Sequence, residues 1–458
     1  MNFIAVDVGS TFIKVAVYDL EYKKVIYTRK CLTPPKRKVD NPNIFEVDAQ
    51  QIVECIKTII QNCLCITQNL DGILFSTQQH GCVLHHPGLQ KDTYISWQDT
   101  RCLEVDPETE NTYIDEVSNL LPATIMARTG VPVKPALALC NLYALFKSKR
   151  LQKDKDTTIY TLGSYIIAQL TGNNTCHITN AAPLGFVNLK EKTWDYDILK
   201  RVGLDFLQLP NITESLQCLG TYEVDKISLN VYPDLGDVQT SIYGSHAGSG
   251  DMIVNIGTSG QLILLESEYD PAFYNPNNYE VRPYYDNNYC YVISRMPGGR
   301  NFDVQIDYMR SVAKLLTGTT VDRDDAWKII ENQKIPMDAE GVTVDCGFYE
   351  LPDSFANGKI EHLTHTNFTP LNVIAATAVS FAKIYHKYAD IILNGKKFAG
   401  TLYFTGGAVL KNQYLKDAIT KELSFSNVVS ANMDEVYGGL FRLAMKCIKE
   451  NSKHVVQK

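Results

Sequence analysis

Residues 3–8, Phe-Ile-Ala-Val-Asp-Val, form an apolar run broken only by Asp7, and Gly9-Ser10-Thr11 ends it. A second run over residues 13–20 alternates apolar and polar side chains, and Val25-Ile26-Tyr27 begins a third. The pattern predicts a strand, a tight turn and a meandering hairpin. It returns in the second half: Met252-Ile253-Val254-Asn255-Ile256 leads into Gly257-Thr258-Ser259-Gly260 and a further apolar run over 262–265. Asp7-x-Gly9-Ser10-Thr11 and Asn255-x-Gly257-Thr258-Ser259 match element by element, 248 positions apart. One copy per half-chain is not a solenoid period. It predicts two similar domains, each opening on a hairpin.

Residues 50–65 and 137–149 have helical spacing, and 72–76 read as a buried strand. Thr369-Pro370 opens a helix whose Ile374, Ala378, Phe381, Ile384, Tyr388 and Ile391 share one face, and Asn394-Gly395 supplies a stop signal. A strand over 401–405, then Gly406-Gly407, then a helix near 410–423 follow. Strands alternating with helices predict an α/β architecture with largely buried sheets. Gly244-Ser-His-Ala-Gly-Ser-Gly250 interrupts the pattern and sets the expected domains at 1–245 and 246–458.

The length of 458 residues exceeds one core, which agrees with two domains. Hydrophobic residues at 45% and charged residues at 21% describe an ordinary globular chain. A net charge of -7 gives no footprint for nucleic acid or for an anionic membrane surface, so a small-molecule substrate is expected. The N-terminus has no basic n-region and no apolar run approaches a membrane span. Twelve scattered cysteines without a Cys-x-x-Cys pair read as reduced thiols of a cytoplasmic protein.

Asp7-Val-Gly9-Ser10-Thr11 is the first candidate for chemistry. Glycine lets backbone approach an anion, hydroxyls and amides point at it, and the carboxylate can hold Mg²⁺ through water. Alone the segment reads first as an ordinary hairpin turn; with Gly257-Thr258-Ser259 present, two hairpins can clamp one triphosphate from both sides. Gly406-Gly407 lies between a strand and a helix, where open α/β sheets bind ligands, or else marks a close crossing. Asp237, in Gly236-Asp237, is a carboxylate that can accept a hydroxyl proton during phosphoryl transfer, or a turn residue. Gln78-Gln79-His80-Gly81 and Trp97-Gln98-Asp99-Thr100-Arg101 mix planar amides, charges and an aromatic face, as sugar sites do. The alternative is a polar loop in which Asp99 and Arg101 form a local ion pair. No Walker loop and no metal-ligand spacing occur.

In this order, these segments resemble the FGGY carbohydrate kinases, the glycerol kinase and xylulokinase type, over nearly the whole chain. Asp7-x-Gly9-Ser10-Thr11-x-x-Lys14 is similar to the family's first phosphate motif and residues 254–259 to its second. Thr405-Gly406-Gly407-Ala408 with Asn412 is similar to the adenosine motif, and Gly236-Asp237 to the segment of the catalytic base. Thr129-Gly130-x-Pro132, Leu170-Thr171-Gly172 and Asp434-Glu435-x-x-Tyr437-Gly438 resemble further landmarks. The resemblance implies two actin-like ATPase (ribonuclease H-like) domains with an interdomain cleft where ATP, Mg²⁺ and sugar meet. Asp237 would be the base and Asp7 would hold the metal's waters. Gly9, Ser10, Thr11, Lys14, Gly257, Thr258, Gly299, Gly406, Gly407 and Asn412 would hold nucleotide. Gln79, His80, Trp97, Asp99 and Arg101 would hold sugar.

Glycerol kinases carry an Arg-Glu pair where this chain has Gln79-His80, and an aromatic residue where it has Ala136. A ketose is therefore implied instead of glycerol. Trp97-Gln98-Asp99-x-Arg101, Gly236-Asp237-x-Gln239-x-Ser241-x-Tyr243 and Pro297-Gly298-Gly299-x-Asn301 are most similar to the sedoheptulokinase subgroup, with pentulose kinases as the alternative. Two departures are Gln79, where that subgroup usually has Met, and Gly347-Phe-Tyr-Glu350-Leu-Pro352, where the family often has Gly-Glu-Arg-x-Pro. A homodimer is left open.

Overall fold

The computed structural model describes residues 1–67, 69–88, 90–275, 278–352, 356–430 and 435–455. Two six-stranded sheets carry the two halves. In the first, Asn2–Val8, Phe12–Asp19 and Lys24–Leu32 form an antiparallel meander. Gly72–Thr77 and Ile227–Gly236 add in parallel on the other side of the first strand, and Gly220–Val224 closes that edge. In the second, Met252–Ile256, Gly260–Glu266 and Tyr289–Met296 repeat the meander, and Leu402–Thr405 and Val428–Ser430 repeat the parallel side. Glu280–Pro283 adds an edge beside Tyr289–Met296. The shared strand order is the duplication that the two hairpin motifs predict.

Local sequence explains the elements. Asn2–Val8 is buried on both faces, so its apolar run is nearly continuous rather than alternating. Helix Ala49–Ile66 starts where Asp48 accepts from the Gln50 N–H at 3.2 Å, a cap worth about 1 kcal/mol. Its Ile52, Val53, Ile56, Ile59 and Ile60 recur at three- and four-residue spacing and join Ile4 and Val6 of the first strand in one core. Each fully buried side chain of this size contributes about 1.5–3 kcal/mol.

Two expected helices differ in detail. In Pro370–Leu393, Ile374, Ala378, Phe381 and Tyr388 are buried as expected, but Tyr385 and Ile392 replace Ile384 and Ile391 in the deepest positions. The helix lies between the second sheet and the helices Gly299–Thr317 and Gln413–Leu423, so its buried face is wider than one stripe. The helix expected near 410–423 is two helices, Gly407–Lys411 and Gln413–Leu423, because Asn412 leaves helical geometry at φ -110°, ψ 91°.

The halves share a core. Helix Asp237–Gly244 follows directly on strand Ile227–Gly236, and helix Glu435–Val455 packs on it and on strands Asn2–Val8 and Gly72–Thr77. Phe3, Tyr18 and Leu74 of the first sheet, Ile253 and Ile263 of the second, and Leu440, Leu443 and Cys447 of the late helix belong to one buried cluster. Thus residues beyond 246 complete the first half. Asp434, part of one landmark segment, lies outside the described residues. All twelve cysteines are free thiols. No described helix is long and apolar enough to cross a membrane.

Candidate active site between the two sheets

Each central strand ends at a glycine hairpin. In the first, the Gly9 N–H donates to Phe12 O at 3.1 Å, and Thr33 seals the turn through its N–H to Thr11 O (3.0 Å) and its hydroxyl to Gly9 O (2.8 Å). Asp7 pairs in register with Lys14, whose Nζ lies 3.7 Å from Asp7 Oδ2. In the second hairpin the Gly257 N–H donates to Ser259 O at 3.1 Å, and Asn255 pairs with Gln261. The start of helix Gly299–Thr317 holds this turn: the Gly299 and Arg300 N–H groups donate to Gly257 O (2.8 Å) and Thr258 O (3.1 Å). A Cβ on Gly298 would lie 2.5 Å from Ser259 Cα, which explains a glycine there. Asn301 Oδ1 accepts from the Gly298 N–H at 3.0 Å and fixes that approach.

Gly406 and Gly407 do different jobs. Gly406 has φ 89°, and a Cβ on it would lie 2.5 Å from the Ile256 backbone. That is a close crossing which needs glycine. A Cβ on Gly407 would meet nothing within 4 Å, because this residue borders a cavity of about 830 Å³ together with Gly257, Thr258, Gly299 and Asn412. Asn412 is buried; its Nδ2 donates to Ala408 O at 2.6 Å, and its Oδ1 has no hydrogen-bond partner among the described residues. Helix Arg323–Glu331 supplies the opposite wall through Asp324, Trp327 and Lys328, which no motif marks.

Asp237 opens helix Asp237–Gly244, where its Oδ1 accepts from the Val238 N–H at 2.8 Å. It borders a cavity of about 220 Å³ with Ser241, Asn255, Gln261 and Thr405. Asn255 and Thr405 sit two residues before Gly257 and Gly407, so the same strand ends run from Asp237 to the larger cavity. Burial, and then the negative charge of Asp7, push the Asp237 carboxyl up to about 7. A Cβ on Gly236 would lie 2.2 Å from Gln79 Nε2 and 2.6 Å from Gln239 Oε1, so glycine there lets the backbone just before Asp237 pack against Gln79.

Trp97 is partly exposed on a cavity of about 840 Å³ that His80, Ala136, Lys134, Glu280 and Arg282 also line. Gln98 borders this cavity and another of about 320 Å³ with Ser10, Thr11, Gln78 and Tyr94. Gln79 is buried: its Nε2 donates to Thr179 O (2.6 Å) and Gln239 Oε1 (2.9 Å), and its Oε1 accepts from Arg282 Nη1 (3.1 Å). His80 Nδ1 lies 3.0 Å from the Pro183 carbonyl, so it carries the proton, and Nε2 accepts from Arg282 Nη2 at 3.3 Å. Burial, helped by the charges of Lys134 and Arg282, holds the His80 pKa well below its usual value and keeps the ring neutral. Burial would raise the Glu280 carboxyl, but Lys134 and Arg282 beside it hold it well below the usual carboxylate range.

Asp99 and Arg101 depart from the sugar-site expectation. Asp99 is 0% and Arg101 1% exposed, and neither lines the cavity beside Trp97. Arg101 Nε and Nη2 donate to the two Asp99 carboxylate oxygens at 2.8 and 2.6 Å, and Nη2 also reaches Glu46 at 2.7 Å. This is the local ion pair, and the side chains point inward because each satisfies the other there. Lys134, Glu280 and Arg282 are charged cavity residues the sequence reading missed; Glu280 and Arg282 share one face of a short strand, Lys134 lies 146 positions before Glu280, and only the tertiary fold brings them together. The Gly347–Pro352 departure lies at the same cleft: Pro352 lines the cavity, Glu350 pairs with Arg295 at 2.8 Å, and Arg300 covers the Tyr349 ring at 4.4 Å.

The donor set suits Mg²⁺, which binds one or two carboxylates plus phosphate oxygens and keeps its waters. Asp7 and Asp237 are two carboxylates, and the charge of Asp7 is close enough to raise the Asp237 carboxyl. Among the described residues no group of three or more His, Cys, Asp or Glu forms a closed metal cage.

Comparison with known proteins agrees with this geometry. The profile of the FGGY family of carbohydrate kinases, N-terminal domain, matches residues 2–229. The chain is 21% identical to a sedoheptulokinase of Mus musculus over 95% of both chains. It is 26% identical to a xylulose kinase of Staphylococcus xylosus over 58% of this chain and 56% of that one. Among solved structures, xylulose kinase from Rhodospirillum rubrum has a TM-score of 0.80 at 17% identity, covering 97% of this chain and 90% of that one. Glycerol kinase from Plasmodium falciparum with ADP has 0.79 at 16% identity, covering 98% and 90%. These neighbours share the two-sheet architecture, the actin-like ATPase fold. With the duplicated sheets, the paired hairpins and the N-terminal profile in agreement, the chain belongs to the FGGY family of carbohydrate kinases.

Proposed function

We propose that this carbohydrate kinase transfers the γ-phosphoryl group of ATP to a terminal hydroxyl of a ketose, with sedoheptulose as the preferred acceptor. Residues 1–245 would form the sugar-side domain and 246–458 the nucleotide-side domain. The observation that carries the reading is Asp237: a carboxyl raised to about 7, beside the strand ends that lead to the second hairpin, and directly after the glycine that packs on Gln79. A base whose pKa is near working pH combines the right protonation state with proton affinity. Asp237 accepts the proton of the attacking hydroxyl as the phosphoryl group moves. Ser10 and Thr11 on one side and Gly257 and Thr258 on the other hold the triphosphate through hydroxyls and backbone N–H groups, with Gly9 keeping the first turn open. Lys14 adds positive charge beside Asp7. Gly407 and Asn412 take the adenosine end, while Gly406 and Gly299 fix the backbone around it. When bound, Mg²⁺ would neutralise phosphate charge, and Asp7 is the residue that would hold its waters. Trp97 covers the C–H face of the sugar.

The similarity to sedoheptulokinases and the 840 Å³ cavity with Ala136 on its wall support a long ketose. The pentulose reading keeps support from the xylulose kinases. An ADP-release assay over ketoses, aldoses and polyols tests both. Sedoheptulose should give the highest kcat/KM, D-xylulose or D-ribulose should follow, and glycerol should stay near background. Tenfold preference for xylulose would remove the heptulose assignment and leave the kinase. Asp237→Asn should lower kcat about 10²–10⁴-fold with both substrates still binding; near wild-type turnover would remove Asp237 as the base.

A further inference from the structure

The charged wall of the cavity beside Trp97 comes from an element that no motif marks. Strand Glu280–Pro283 is the edge of the second sheet, yet it is pinned to the first half at several points. The Val281 N–H donates to Gly130 O at 2.7 Å, Gln239 Nε2 donates to Pro283 O at 3.1 Å, and nearby the Tyr269 hydroxyl donates to Ala127 O. Gly130, at φ 69°, is the glycine of the Thr129-Gly130-x-Pro132 segment, and a Cβ on it would lie 2.4 Å from Val281 O. That landmark is therefore the docking point of the strand.

Side chains two apart on a strand share a face, so Glu280 and Arg282 both reach the cavity. Arg282 is almost wholly buried and its guanidinium is held on three sides. Nε and Nη2 donate to Glu280 Oε2 at 3.2 and 2.8 Å, Nη1 donates to Gln79 Oε1 at 3.1 Å, and Nη2 also reaches His80 Nε2 at 3.3 Å. A guanidinium has five N–H donors in a fixed fork, so one on Nη1 is left to face a ligand. Lys134 gives one of its three N–H groups to Glu280 Oε1 and keeps two.

Building on the kinase reading above, we propose that Arg282 is the residue that reads the acceptor sugar, reaching it from the second half while Gln79 and His80 of the first half fix its direction. The Arg-Glu pair that positions 79–80 lack is then present in space as Arg282 and Glu280. With Glu280 committed to Lys134 and Arg282, the wall offers mainly donors. It suits a ligand presenting oxygen lone pairs, such as the hydroxyls and carbonyl or hemiketal oxygen of a ketose. Because the reading group and its holders come from different halves, acceptor affinity depends on the two being in register. Gln79 and His80 are positioning residues, the ring spent on Arg282 and the Pro183 carbonyl and the amide on Arg282, Gln239 and the Thr179 carbonyl.

The test uses the full-length protein, with sedoheptulose and D-xylulose as probes in ADP release and in calorimetry without nucleotide. Arg282→Ala should raise the acceptor KM and Kd about 10–100-fold while the KM for ATP stays within twofold. Arg282→Lys, which keeps the charge and tests the same point if the alanine variant does not fold, should recover only part of the loss. His80→Ala should raise the acceptor KM less, and the Arg282→Ala/His80→Ala double variant should be no worse than Arg282→Ala alone, the signature of one residue acting through the other. A stability loss with unchanged acceptor KM and Kd in the folded protein would overturn the proposal, as would failure of both sugars to bind the wild type. Arg282-dependent binding without ADP release would sink the kinase reading and keep this one; ADP release indifferent to Arg282 would do the reverse.

Discussion

Replacing Asp99 by alanine separates a structural from a sugar-binding role. Asp99 accepts from the Phe45 N–H at 2.7 Å, from the Arg101 N–H at 3.1 Å, and from Arg101 Nε and Nη2 at 2.8 and 2.6 Å. The substitution leaves a guanidinium that is 1% exposed with Glu46 as its carboxylate partner, at 2.7 Å. Removing one partner of a buried pair costs about 3–5 kcal/mol, since the guanidinium stays buried with only Glu46 to offset its charge. At about 2–4 °C per kcal/mol for a unit of some 200 residues, the melting transition should fall by about 6–20 °C. Thermal denaturation followed by fluorescence measures this, and acceptor kinetics on the folded fraction should hold KM within twofold. An unchanged transition with a tenfold higher acceptor KM would show that Asp99 touches sugar and that the ion-pair argument fails.

Because the Asp237 carboxyl is raised to about 7 and must be ionised to accept a proton, kcat/KM should fall about tenfold per pH unit below that value. Asp7→Asn removes the like charge and should move this limb to lower pH, whatever it does to the plateau; a limb that stays in place would show that Asp7 does not act on Asp237. Gly236→Ala puts a Cβ 2.2 Å from Gln79 Nε2, so turnover should drop at least tenfold while the KM for ATP changes little, and wild-type turnover would argue that the Asp237 backbone is not tightly set. X-ray scattering should show a smaller radius with sedoheptulose and a nonhydrolysable ATP analogue than without them, as for lids that exclude water; equal radii would speak against closure.

The duplicated hairpins were legible in the chain because glycines and alternating apolar runs encode turns and strands locally. The turns at Gly9 and Gly257 and the strand-to-helix turn at Gly406-Gly407 could be found from sequence for that reason. Helix Ala49–Ile66 was legible through its three- and four-residue spacing. What escaped was whatever depends on pairing between distant segments. Arg282 sits between Val281 and Pro283 with nothing around it to mark a site, and only the edge of the second sheet carries it to His80. Asp99 and Arg101 have the composition of a sugar site, and the direction of their side chains is decided by burial around Glu46 and Asn141. The break at Asn412 was hidden because the residues on both sides favour helix.

The helix Glu435–Val455, wedged against the first strands, bears on how the chain must be made. The hydroxyl of Tyr18 donates to the carbonyl of Tyr437, a contact that closes 419 positions of chain. Closing a loop of that length costs about 5 kcal/mol in entropy, and it can form only once the late helix exists. At about 5–20 residues per second, translation leaves Phe3, Tyr18 and Leu74 without their cover for tens of seconds after they leave the ribosome. Made alone, the amino-terminal half should expose this apolar surface and be prone to aggregate. Its native packing is reached only when the first strands and the helix Glu435–Val455 meet.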